Sequence, residues 1–180
     1  MKKIISILLG ICLCGGVFAQ TQLKIISFNI HAGYDAPISD IAAFIKEQDP
    51  DIVAYLTGMH GMFYVTLEKC YGGKFGNAIL SKHSFDETRR IMLPCAAGTE
   101  QRNAAIADIK LPDGTEFSIV DTHIDMSKLD NGMSQIKEVN RIPQLGKHYI
   151  VAGDMNRRVG TAEINELSSV WTLALSREFD

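Results

Sequence analysis

Cysteine is scarce in this chain of 180 residues: there are four, at positions 12, 14, 70 and 95, and only Cys70 and Cys95 lie beyond the first 19 residues. That excludes a disulfide-stapled scaffold. The two remaining thiols either pair or stay apart as small buried hydrophobes, and their spacing fits both. Basic charge is also in short supply, with 18 Lys and Arg against 21 Asp and Glu and a formal charge of −3. Non-specific binding to nucleic acid rests on Lys and Arg neutralising phosphates, so a general polyanion binder is disfavoured. No internal repeat, low-complexity tract or linker interrupts the chain, which reads as one domain large enough to bury a core. No sustained amphipathic or aromatic surface stretch supports docking to a membrane.

What is present begins with Lys2-Lys3, an uncharged run from Ile4 to Leu13, and small residues at Val17 and Ala19. This is the pattern of a secretory signal peptide over residues 1–19, cleaved after Ala19, and it is too short for a membrane span. Leu13 between Cys12 and Cys14 does not resemble a lipoprotein cleavage site, so release to the periplasm or the medium is expected, without a lipid anchor. Removing Lys2 and Lys3 with the signal takes the formal charge from −3 to −5.

Residues 20–180 alternate between strand and helix signals. Leu23 to Asn29 reads as a strand, and Ile38, Ile41, Ala42 and Ile45 mark one face of a helix that Asp49-Pro50 ends. Asp51 to Tyr55 gives a second strand, so the order predicts a crossover that puts both strands in one sheet. A glycine-punctuated stretch follows, in which Met62 to Leu67 is the strand candidate, and then Asn77 to Ser81. Asn103–Leu111 and Thr115–Asp121 flank Pro112-Asp113-Gly114, a hairpin signal. Met133, Ile136 and Val139 predict a second helix, Tyr149 to Gly153 a central strand, and Thr161 caps a third helix burying Ile164, Leu167 and Trp171.

Three predicted strands end on polar residues suited to phosphate or a divalent metal: Asn29, then His123 and Asp125, then Asp154 and Asn156. Strand ends converging on one rim are where α/β proteins assemble sites. Asp154 and Asn156 point the same way if the extended geometry persists past the strand, since side chains alternate with period two. The competing reading of Asp-x-Asn is a loop turn held by side chain to backbone hydrogen bonds. His31, His60, His83 and His148 read as surface or loop residues, and Arg157-Arg158 as a solvated pair.

Ser27-Phe28-Asn29, Pro50-Asp51-Ile52-Val53-Ala54, Gly76 to Ser81, Asp121 to Asp125 and Gly153 to Asn156, in this order, resemble the endonuclease/exonuclease/phosphatase superfamily. The resemblance implies an α/β (α+β) fold of the DNase I-like kind, a sandwich of two mixed β-sheets flanked by helices. It also implies roles. Asn29 and Asp154 stand on the metal side, His123 donates to a phosphoryl oxygen, Asp154 orients or deprotonates water, and Asn156 holds phosphate or that water. Glu100 and Asp125 stand in support, Glu100 as the acid that braces the histidine. The implied cofactor is one divalent metal, Mg²⁺ or alternatively Mn²⁺.

Two family features are not matched: Thr57 falls where the metal-binding Glu stands, and no Ser-Asp-His segment is found before Asp180. A shortened member is therefore expected. Two functions follow: an exported metal-dependent phosphoesterase acting on a small phosphate ester by in-line attack of water, or a non-catalytic module that binds a phosphate ligand or needs a partner. A calcineurin-like metallophosphoesterase needs an Asp three residues after Asp154, where Arg157 stands.

Overall fold

The computed structural model describes residues 6–9, 22–30, 36–53, 60–70 and 73–174, with backbone alone for 6–9, 67–70, 73 and 74. Alternating apolar residues build two sheets, because each strand sends neighbouring side chains to opposite faces. The first sheet contains β1 (Ser6–Leu9), β2 (Leu23–Ile26), β3 (Ile52–Val53), β4 (His60–Cys70) and β5 (Gly73–Ser81) in the order β1-β2-β3-β5-β4. The helix α1 (Ile38–Gln48) carries the chain from β2 to β3, which pair in parallel as the strand, helix, strand order predicts. The segment read as a signal peptide contributes β1, whose backbone pairs antiparallel with β2.

The second sheet is β6 (Phe85–Met92), β7 (Asn103–Lys110), β8 (Glu116–His123) and β9 (Tyr149–Asp154), in that order. Its β7–β8 hairpin turns where expected. Gly114 takes φ +88°, and the Thr115 amide donates to Asp113 Oδ1 at 2.9 Å. The β6 sequence, Phe-Asp-Glu-Thr-Arg-Arg-Ile-Met, gives no strand signal of its own. It is recruited as the sheet's first strand by pairing with β7. Tyr149–Gly153, expected as a central strand, is the last in this ladder among the described residues and only half buried.

The layers follow from the alternation. Ile25, Ile52 and Ile79 of the first sheet meet Ala105, Ala107, Ile109, Phe117 and Ile119 of the second to form the core between them. The opposite faces are covered by helices. Ile26 and Val53 pack on Ile41 and Ile45 of α1, while Ala104, Ile106 and Val120 pack on α2 (Leu129–Val139) and α3 (Ala162–Ser168) through Ile136, Val139, Ile164 and Leu167. Thr161 caps α3 by accepting from the Ile164 amide, and Trp171 lies just past the helix, edge-on to Tyr149. The result is the helix-flanked two-sheet sandwich that the sequence resemblance implies.

Candidate active site

The tips of β2, β8 and β9 meet on one rim. In the parallel β8–β9 ladder His123 lies opposite Asp154, which fixes the imidazole and the carboxylate side by side. Asn29, three residues past β2, reaches across from the other sheet. Its Nδ2 donates to Asp154 Oδ2 at 2.9 Å, and His123 Nε2 stands 3.9 Å from the same oxygen. That gap is too long for a direct hydrogen bond, and it leaves room for an oxygen in reach of both groups. The side chains of His123 and Asp154 are 21% and 35% exposed, so the trio is open to a ligand yet anchored.

Gly153 makes this register attainable. It takes φ +126°, and a Cβ there would lie 1.8 Å from the Thr122 carbonyl oxygen. The glycine thus admits the neighbouring strand, packing β8 against β9 immediately before the two site residues.

The shared face expected of Asp154 and Asn156 is not formed. Asn156 adopts a left-handed φ of 51°, and its backbone amide donates to Asp154 Oδ1 at 2.9 Å. Its side-chain Nδ2 donates to the Ile124 carbonyl at 2.7 Å. The turn reading of Asp-x-Asn therefore holds. Asn156 fastens the carboxylate from behind and ties it to the end of β8. Asp125 is likewise a turn residue. It is buried, with Oδ1 accepting from the Ser127 amide and hydroxyl and Oδ2 from Asn131; burial alone would raise its pKa, but these donors, Asn131 foremost, together outweigh it and hold the carboxyl below the usual range.

Glu100 does not brace the histidine directly. Its Oε2 accepts from Arg102 Nη2 at 2.9 Å, and the Arg102 guanidinium lies 5.0 Å over the Phe75 ring, whose other neighbour is His123 at 6.0 Å. Burial, and then the positive charge of Arg102, push the His123 pKa down to about 4 against the opposing pull of Asp154. The imidazole is therefore neutral across the physiological range. Arg157, read as solvated, has a buried side chain. Its Nε pairs with Glu163 at 2.7 Å and its Nη1 donates to the Asn156 carbonyl, so it stiffens the turn behind the site.

Two more residues at this rim escaped the sequence reading. Arg102 is one. The other is Asp121, two positions before His123 on the same face of β8, buried and accepting from Asn77 Nδ2 at 3.1 Å. Burial pushes its pKa up to about 7 despite that donor. The period-two spacing from His123 is the signal that would have found it. Cys95 is a free, exposed thiol and not a buried hydrophobe, and the Cys70 side chain lies outside the described residues.

The sequence model described as the Endonuclease/Exonuclease/phosphatase family matches residues 26–171. The chain belongs to that family. Members of the endonuclease/exonuclease/phosphatase family hydrolyse phosphate esters. Comparison with curated proteins returns no match. Among solved structures, this family member is similar to an endonuclease/exonuclease/phosphatase from Beutenbergia cavernae at 19% identity and a TM-score of 0.68, over 82% of this chain and 53% of that one. A mannosyl-6-phosphatase from Bacteroides thetaiotaomicron superposes at 16% identity and a TM-score of 0.58, over 79% of this chain and 66% of that one. A Staphylococcus aureus beta toxin with bound magnesium ions does so at 16% identity and 0.58, over 83% and 70%. The chain thus spans little more than half of the Beutenbergia protein's length.

The donor set bears on the divalent ion that family members use. At the rim Asp154 is the carboxylate the described residues leave open to a ligand, its two oxygens accepting from Asn29 and Asn156, while Asp121 is buried; the described residues contain no group of three or more His, Cys, Asp or Glu able to hold a metal. Magnesium is held by one or two carboxylates together with substrate oxygens and water. The described residues do not by themselves fit a resident hard dication. Thr57 and His31 lie outside them.

Proposed function

We propose that this family member is an exported hydrolase of a small phosphate ester. The observation that carries the proposal is a single oxygen, Asp154 Oδ2, held 2.9 Å from Asn29 Nδ2 and 3.9 Å from His123 Nε2. Water lying against Asp154 attacks phosphorus opposite the ester oxygen. The carboxylate takes the water proton, the new P–O bond forms as the ester P–O bond breaks, and the proton passes to the departing oxygen or to solvent. His123, neutral, donates its ring N–H to a non-bridging phosphoryl oxygen, where charge accumulates. Asn29 fixes the carboxylate's orientation. Export after cleavage at Ala19 and the acidic balance of the chain support a small ester over duplex nucleic acid.

A second reading, a module that binds a phosphate ligand without turnover, is favoured by the absence among the described residues of a His, Cys, Asp or Glu cluster able to hold a metal. Hydrolysis of bis-(p-nitrophenyl) phosphate separates the two. Turnover by the mature chain that is lost in Asp154→Ala is the expected result, and its response to Mg²⁺ and EDTA reports whether a divalent ion takes part. A folded chain that turns over nothing in any divalent ion, yet binds phosphate, favours the module. Turnover that survives in Asp154→Ala refutes the site.

A further inference from the structure

Arg102 holds a positive charge in a place that its protein partners do not satisfy. Its side chain is 6% exposed, and of its donors Nη2 reaches Glu100 while Nε and Nη1 have no hydrogen-bond partner. The Glu100 side chain is 52% exposed, so solvent screens the charge that would neutralise Arg102. Arg157 makes the contrast. Its side chain is buried to the same degree, but its Glu163 partner is 9% exposed and only Nη2 of its guanidinium has no hydrogen-bond partner, against two nitrogens in Arg102. A desolvated guanidinium with two idle N–H groups is costly unless an anion completes it.

The surroundings say which anion. The guanidinium lies over the Phe75 ring at 5.0 Å, and the same ring meets His123 at 6.0 Å, so the idle cation is fixed in orientation at the His123 end of the site. We infer that the free donors of Arg102 bind non-bridging oxygens of the same phosphoryl group to which His123 donates. The inference rests on the phosphoester reading of the same site and adds to it the group that holds the anion's charge. Arg suits the task because its planar fork matches phosphate geometry and keeps its charge when buried.

Inorganic phosphate is the probe. In the wild-type chain it should inhibit hydrolysis competitively and shift the Arg102 Nε–H resonance in ¹H–¹⁵N spectra, a signal assigned by its absence from Arg102→Lys. Arg102→Lys keeps the charge and loses the fork, so it should weaken phosphate binding by about tenfold or more, raising KM more than it lowers kcat. A folded Arg102→Lys with wild-type phosphate affinity overturns the inference. So does an Nε–H that saturating phosphate leaves unmoved, a reading made on wild-type protein that stands even where the variant does not fold. Turnover intact with Arg102 unmoved defeats this inference alone. Phosphate shifting Arg102 without turnover defeats the hydrolase reading and leaves the anion site.

Discussion

Asn29 donates its side-chain amide to Asp154 Oδ2 at 2.9 Å, joining residues 125 positions apart in the chain and belonging to opposite sheets of the sandwich. The carboxylate is thus aimed by one sheet and carried by the other. Its second oxygen is held from behind by the Asn156 backbone amide. Any loss of register between the sheets is felt first at this oxygen.

Asp154→Ala should remove turnover, because a general base contributes about 10² to 10⁴ in rate. Asn29→Ala should leave the fold intact and lower kcat less, by roughly tenfold to a hundredfold, since it frees the carboxylate without deleting it. Steady-state kinetics with bis-(p-nitrophenyl) phosphate check both. An Asn29→Ala enzyme of full activity would separate the interaction from the chemistry.

Activity should show no loss from histidine protonation between pH 8 and pH 5. The His123 pKa is lowered to about 4, so its ring stays neutral and able to donate throughout that range. A pH–rate profile falling with an apparent pKa near 6.5 that disappears in His123→Gln contradicts the neutral imidazole.

Two desolvated groups, one buried and one partly so, should give opposite slopes of stability against pH. His123 has a folded pKa of about 4, below its ordinary value, so the unfolded chain binds the proton more readily. Its contribution is complete above about pH 6.5 and is lost as pH falls toward 4. Asp121 has a folded pKa of about 7, above its ordinary value, so the folded chain binds the proton more readily. Its contribution is complete below about pH 4 and is lost as pH rises through 7. Between pH 4 and 6.5 the two nearly cancel. Asp121→Asn should expose the histidine slope, with stability falling toward acid by up to about 3 kcal/mol, and His123→Asn should show the reverse. Urea unfolding at pH 4.5 and 6.5 measures both signs.

Gly153→Ala should destabilise the fold by more than about 3 kcal/mol, because the added Cβ meets a backbone carbonyl that cannot rotate away and the residue sits at positive φ. Thr161→Ala removes the α3 cap, a 3.5 Å contact from the Ile164 amide, together with the hydroxyl's bond to the Arg158 carbonyl, and should cost about 1 kcal/mol. Thermal unfolding of the two variants should rank them in that order.

Mass spectrometry of the exported protein should find an N-terminus at Gln20. Cleavage there removes β1 and leaves β2 as a sheet edge, which the mature chain tolerates only if β2 is held by β3 and α1. A mature N-terminus upstream of Ser6 would overturn the signal-peptide reading.

The sequence by itself determined the layers and the three strand tips. Ile25 against Ile26, Ile52 against Val53 and Ile119 against Val120 each divide between a face toward the other sheet and a face toward a helix, because period-two alternation is a local property of the backbone. Asn29, His123 and Asp154 were legible for the same reason, as polar residues where apolar alternation stops. Only the tertiary structure decided what those tips do to one another. The left-handed turn at Asn156, the pairing of Glu100 with Arg102 instead of His123, the burial of the Arg157 side chain and the strand formed by charged β6 all depend on partners distant in the chain. Burial sets the charge state as well. It makes His123 neutral, keeps Asp121 near half-protonated at pH 7 and leaves Arg102 with idle donors, and the cost of desolvating a group cannot be read from its neighbours in sequence.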